Sequence, residues 1–423
     1  MDFDPVLMLS IERLGYQVSV GDVAANAGLE INQVQKGLLA LASQTQGDLL
    51  VSETGDIIYK FPHNFRSILT NRYWQLRFKE SLRAIWKVLF YLIRISFGIV
   101  LILSIALMSI AIVLIMIAAS STQNNDNNGS FGGGEGGSFV FLGNPFESLW
   151  LFEPNNNRES TKPKEMNFLE SVFSFLFGDG NPNNDIEQKR WNTIATLIRN
   201  NRGSVIAQQL APYLDNVQDI ESDSYVIPVL SKFNGYPEVS TAGEIIYHFP
   251  ELQITTKNHN QSAISDYLEE SKWKFTKASG EQVTLSVGLG SLNVALAFIL
   301  GSLLKGSAAV KLGAFILFIA SIYHGLIFYA AAFFAIPLMR YYVLTSRNKK
   351  LEKRNAQRQK LSDWLTQNLE KLQGKLLYAS QYGQEKVIKA EDITYSTEKD
   401  LLAQQIEQSE QIDQQWQKRL NQS

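Results

Sequence analysis

For metal and nucleophile chemistry this chain of 423 residues offers four histidines, at 63, 248, 259 and 324, and no cysteine. The missing thiol rules out disulfides, thiolate metal sites, iron–sulfur ligation and a cysteine nucleophile. The histidines are scattered, without metal-ligand spacing, so the expected metal and cofactor complement is none. Aspartates and glutamates are plentiful, but they sit on polar stretches with no apolar pocket around them. General acid–base catalysis therefore has no named candidate. The run GGGEGG at 132–137 lacks the Lys-Ser/Thr and the strand-to-helix setting of a phosphate loop. No enzyme is expected. His324, beside Tyr323, lies inside an apolar run, where an ionisable group is a candidate intramembrane polar site. With no carboxylate in any such run and only Asn293 as polar company, a neutral imidazole bonded to a neighbouring helix is the expectation. A transporter or channel subunit is kept as an alternative that would need His324.

The elements around these residues are organised by a stretch written twice. Residues 47–62 read GDLLVSETGDIIYKFP and residues 235–250 read GYPEVSTAGEIIYHFP, nine of sixteen identical at an offset of 188. Each is a pair of β-prone runs around a Gly-bearing turn, a hairpin pattern. Its expected core is Val51, Ile57, Tyr59 and Phe61 in one copy and Val239, Ile245, Tyr247 and Phe249 in the other. Ahead of the first copy, Pro5–Leu14 has helical spacing and Ser19 can cap a short helix with Asp22 three positions on. That helix stops at Gly28, and Ile31–Ser43 follows with Val34, Leu38, Leu39 and Leu41 on one face. Over residues 1–62 this order resembles the winged helix–turn–helix family, which implies DNA binding.

Charge argues otherwise. Residues 1–62 carry eight acids and three bases, a net of −5, and the would-be reading helix opens Glu30-Ile31-Asn32-Gln33-Val34-Gln35-Lys36. Phosphate neutralisation supplies most duplex affinity, and one lysine cannot provide it. A protein-docking module is the preferred reading, with a membrane-tethered DNA-binding regulator as the alternative. The second module, 185–283, has helical patterns at 185–201, 204–214 and 222–233, the last kinked by Pro228 near its middle. Its residues 186–252 hold eight acids and five bases. Trp273 and Phe275 alternate with Lys272, Lys274 and Lys277, the pattern of a half-buried strand.

Between the modules the composition turns basic, then apolar. Arg66, Arg72, Arg77, Lys79, Arg83, Lys87 and Arg94 face a single Glu80 along the stem 63–96, interleaved with aromatics, as in a helix at an anionic lipid interface. The uncharged run 97–119 is long enough to cross a bilayer. An Asn/Gly-rich tether follows at 120–165. The apolar helix at 166–178 is too short to span; it either dips into the membrane or packs under the second module. Further spans are expected at 285–304 and 312–338, with small residues that permit close packing. The tail 340–423 opens with eight bases against Glu352, Arg347, Lys349 and Lys350 among them, and continues as charged helix. Positive flanks place the N-terminus in the cytoplasm or stroma. Three crossings would part the two basic ends, so an even number is preferred. The fold class expected is an α+β membrane protein: two winged-helix-like domains, three transmembrane helices and a helical C-terminal tail. Membrane lipids and unidentified proteins are the expected partners, a homo-oligomer is open, and nucleic acid is disfavoured.

Taken whole, the order of acidic module, basic stem and span, FLESVFSFLFGDG, a second module with YLEESKWKF, a membrane hairpin and YSTEKDLLAQQ resembles an uncharacterised membrane protein family of cyanobacteria and chloroplasts. The resemblance implies a thylakoid or envelope location, or a plasma membrane in a cyanobacterium. It further implies a role as scaffold or assembly factor in the biogenesis of photosynthetic complexes.

Overall fold

Asp4 caps the first helix, its carboxylate accepting from the Val6 N–H at 2.9 Å, and Pro5 supplies the first helical residue without a donor to waste. The computed structural model describes residues 4–72, 74–122, 166–256, 262–305 and 314–398, with scattered positions between 400 and 417. Most of the expected tether, GGGEGG included, lies outside the described residues. In chain order the elements are α1 (Pro5–Leu14), β1 (Gln17–Ser19), α2 (Val20–Ala27), α3 (Ile31–Thr45), β2 (Asp48–Ser52), β3 (Ile57–Lys60), α4 (Phe65–Arg72) and α5 (Trp74–Thr122). After the tether come α6 (Phe168–Phe177), α7 (Ile186–Asn200), β4 (Ser204–Val205), α8 (Ala207–Leu210) and two single-turn helices, Ala211–Tyr213 and Asp223–Val226. Then follow α9 (Ile227–Phe233), β5 (Tyr236–Val239), β6 (Ile245–His248), α10 (Pro250–Gln253), β7 (Ile254–Thr255), α11 (Gly280–Leu304), α12 (Ala314–Gln367), α13 (Leu369–Tyr382), β8 (Lys386–Val387) and β9 (Ile393–Ser396). The protein is thus a mixed helix–sheet chain, with three helices among the described residues long and apolar enough to cross a membrane.

The chain divides into two compact units, 1–81 with 182–271 and 350–423, and 82–181 with 272–349. In the first, the twice-written stretch forms the same hairpin twice. Asp48 faces Lys60 and Val51 faces Ile57; at the same offset Tyr236 faces His248 and Val239 faces Ile245. Both turns place their glycine in the left-handed region, Gly55 at φ 84 and Gly243 at φ 82, which only glycine adopts freely. The preceding helices end alike, on Gln46 at φ 55 and Asn234 at φ 49. The sheets have the orders β1-β3-β2-β9 and β4-β6-β5. One continuous apolar core runs through this unit, from Ile11, Val34, Leu38 and Phe61 to Ile198, Phe233 and Phe249.

Several local expectations are corrected here. Pro228 stands in the first turn of α9, where a missing N–H costs nothing, and does not kink the helix. The 204–214 segment is a two-residue strand followed by two short helical turns. Trp273 and Phe275 lie on an extended loop with no strand pairing. The tail is not helical throughout: β8 pairs in parallel with β7, and β9 pairs with β2, Val51 facing Tyr395. The register that decides this, Ile393-Thr394-Tyr395-Ser396, is β-prone, but a flanking polar helical pattern hid it.

In the second unit, Ala84–Ala118 of α5, α11 and the apolar part of α12 pack around Met108, Ala111, Ile115, Ala297, Leu300, Ile319 and Ala330. From Trp74 the stem and the first span are one helix, as are the third span and the start of the tail. Inside, Asn293 donates to the Ser104 hydroxyl, and the Tyr329 hydroxyl donates to the Phe97 carbonyl at 3.0 Å. Helix α6 packs among these helices through Val172, Phe175 and Leu176, beside Leu101 and Phe333. Its apolar face is spent there, against the long helices of its own unit.

Candidate functional site

Much of the buried charge in the first unit is organised into two locks between carboxylates and guanidinium groups. Asp22, on α2, is 4% exposed. Its Oδ1 accepts from Arg199 Nη2 at 2.6 Å and Thr255 Oγ1 at 3.0 Å; its Oδ2 accepts from the Ser19 N–H at 3.2 Å and the Thr256 N–H at 3.1 Å. Ser19 returns the favour through its hydroxyl, completing the capping box expected from the sequence. Burial pushes the Asp22 carboxyl up, but Arg199 and these hydrogen bonds outweigh it and hold it below its ordinary value. Helix α2 can approach so closely because residue 21 is glycine; a Cβ there would overlap the Glu251 carbonyl.

A second lock joins Arg358, 3% exposed, to Asp215 at 2.6 Å and to Glu270 at 3.0 Å. Glu270 also takes a bidentate pair from Arg354, at 2.7 and 2.5 Å, and Asp215 accepts from Arg190 as well. Arg354 first, then Arg358, lower the Glu270 carboxyl against its desolvation. Asp22, Asp215 and Glu270 are each spent on a cation, an arrangement that fixes geometry. Among the described residues no group of three or more His, Asp or Glu could hold a metal.

The expected hairpin core divides by strand face. Tyr59, Phe61, Tyr247 and Phe249 are buried, at 5% exposure or less, and Val51 and Ile245 are half-buried. Ile57 and Val239 are corrected: they are 38% and 61% exposed. Alternate strand residues point to opposite sides, and the side opposite the main core is also covered. Ile58 packs under Ile388 and Ile393 of the tail, and Ile246 under Leu372 and Ala379 of α13. Both isoleucines were missed as core, although the repeat shows them in each copy.

Of the basic residues, Arg66 pairs with Glu12 at 3.4 Å. The side chains of Arg72, Arg77, Lys79 and Arg83 lie outside those described. Lys87, Arg347, Lys349 and Lys350 are exposed. Arg347 sits 5.0 Å over the Trp273 ring, and Arg340 sits 4.3 Å over Phe275 while donating to the Phe175 carbonyl at 2.8 Å. Arg94, inside the first apolar helix, is answered by Asp179 at 2.6 Å. His324 is exposed on α12, edge-on to Tyr323 at 5.8 Å, with no hydrogen bond to a described residue. The expectation of a bond to a neighbouring helix is therefore not met among the described residues, because this face of α12 points outward.

What the first unit does offer is an exposed aliphatic residue on each of two helices. Leu39 is corrected: it does not join Val34, Leu38 and Leu41 in the core but is 53% exposed on α3, with Asn32, Gln33, Gln35 and Lys36 exposed around it. At the offset of the repeat, Leu39 corresponds to Ile227, the first residue of α9, which is 63% exposed.

No known family profile matches the chain, and no solved structure does. It is 36% identical over 424 residues to "Uncharacterized protein At5g03900, chloroplastic" of Arabidopsis thaliana, an alignment that covers 95% of this chain and 80% of the Arabidopsis protein. Identity of that extent carries the stem, the apolar helices and both hairpins together, and the chain belongs to the family of this chloroplastic Arabidopsis protein.

Proposed function

We propose that the protein is a non-catalytic scaffold or assembly factor of a plastid-type membrane, with two winged-helix-like modules that dock proteins. Its partners in this reading are membrane lipids, through the basic flanks of the spans, and protein clients in the stroma or the equivalent cytoplasm, where thylakoid complexes are built. The modules are read as an internal duplication of a helix–turn–helix with wing, on the strength of the shared hairpin register and the matched left-handed residues before and within each hairpin.

One observation carries the docking reading. Both copies keep an exposed aliphatic residue at the same sequence offset, Leu39 midway along α3 and Ile227 at the start of α9, with one nearby base on α3. A duplex-binding face would set arginines and lysines there to meet phosphates; an exposed aliphatic ringed by amides suits a protein surface. The test is site-specific photo-crosslinking from positions 39 and 227 of the full chain in native membranes. The reading expects discrete protein adducts from both positions, lost on Leu39→Lys and Ile227→Lys. Adducts to nucleic acid, or none from either position, would overturn it.

A further inference from the structure

Near the middle of α12 an apolar groove of about 610 Å³ opens between Phe275, Phe334, Pro337, Leu338 and Tyr341. Leu338 and Tyr341 are 59% and 57% exposed. Further along the same helix the character changes. Arg347 lies about 9 Å beyond Tyr341 at ~1.5 Å per residue. Its guanidinium is stacked 5.0 Å over Trp273 and has no carboxylate partner among the described residues. Trp273 is held in place by two hydrogen bonds at 2.9 Å, its N–H to the Asn348 side chain and its carbonyl from the same amide. Lys274 is exposed on the loop between the two aromatic anchors. Arg340, by contrast, is committed to the α6 carbonyls and to Phe275.

We propose that this is a binding site for one anionic membrane lipid, its acyl chain in the Phe275–Leu338–Tyr341 groove and its phosphate or sulfonate against Arg347 and Lys274. The assignment rests on α12 crossing a bilayer, as the proposed function requires. Two features select a lipid over a protein helix. Apolar wall and Arg347 follow one another along α12 in the order tail, then headgroup, of an amphiphile. Arg347, the nearest cation not committed elsewhere, is pre-set by an aromatic ring that a lipid interface favours. Removing one basic side chain at an anionic surface weakens attraction about fivefold.

The experiment uses the full chain in nanodiscs containing equal phosphatidylglycerol and phosphatidylcholine, with retained lipid counted by native mass spectrometry after transfer to detergent. Wild type should retain phosphatidylglycerol in preference. Arg347→Gln should cut that preference about fivefold, and Leu338→Trp, which fills the groove, should lower retention of both lipids. Phe298→Trp, on the exposed face of α11, should change neither. Soluble glycerophosphate should fail to compete, since the acyl chain is part of the ligand. Equal retention of both lipids by wild type, or an unchanged preference in Arg347→Gln, overturns the site. So does Leu338→Cys, a unique thiol in this chain, if it cross-links to a second copy. Resistance to carbonate extraction, scored on the same variants, reports the membrane reading separately.

Discussion

Asp22→Ala is the substitution most exposed to refutation. The carboxylate and its Arg199 partner have 5% and 12% of their side chains exposed. Removing the acid leaves a cation without a counter-charge and four further donors, from Ser19, Thr255 and Thr256, without their acceptor. Breaking a buried pair on one side costs roughly 4 kcal/mol, which for a unit of this size lowers Tm by roughly 8–16 °C. The measurement is intrinsic tryptophan fluorescence of the full chain in detergent through a thermal ramp. Asp22→Leu with Arg199→Met removes both charges and should lose clearly less than the two single variants summed. The folded carboxyl lies below its ordinary 3.8, so its stabilisation is full above that pH and fades as pH falls through the lower folded value. Wild type and Asp22→Ala should therefore differ most near neutrality and converge in acid. A shift under about 2 °C near neutrality, far short of that range, or strict additivity in the double variant, would refute the lock.

Three other outcomes follow from the same geometry. Gly21→Ala should destabilise by about 3 kcal/mol, an overpacking cost, because its methyl group meets a backbone carbonyl that cannot swing aside; a thermal ramp reads this. Truncation after Asp392 removes β9 and should speed amide exchange in β2, seen by hydrogen–deuterium exchange, while β5 and β6 stay unchanged. His324→Phe should leave the protein's membrane phenotype intact; loss of the phenotype with normal protein abundance would revive the transport reading.

The sequence made some elements readable because their signals are local. The Ser19–Asp22 capping box, the left-handed Gly28 and the repeated hairpin turns each need only a few neighbouring residues. The apolar runs were equally plain, since length and the absence of charge suffice. What escaped depends on partners far along the chain. Pairing of Tyr395 with Val51 cannot be seen in either segment alone. Ile58 and Ile246 lie on the strand face away from the main core, and what buries them is the distant tail. Arg358, in a basic run that reads as solvated surface, is instead 3% exposed and holds Asp215 and Glu270. At the candidate site helical spacing puts Leu39 with Val34, Leu38 and Leu41, and only the packed core behind α3 shows that it stays exposed, as does Ile227.

The pairing of β9 on β2 also sets a clock. The segment that completes the first sheet is encoded some 340 positions after the strand it joins, and at ~5–20 residues per second of synthesis the ribosome delivers it roughly 17–70 s later. For that interval the nascent protein carries an open β-edge while the long apolar helices are being synthesised. A folding helper that shields the edge has its window there, and a message truncated near its end would yield a protein with its apolar helices complete yet its first sheet recognised as unfinished.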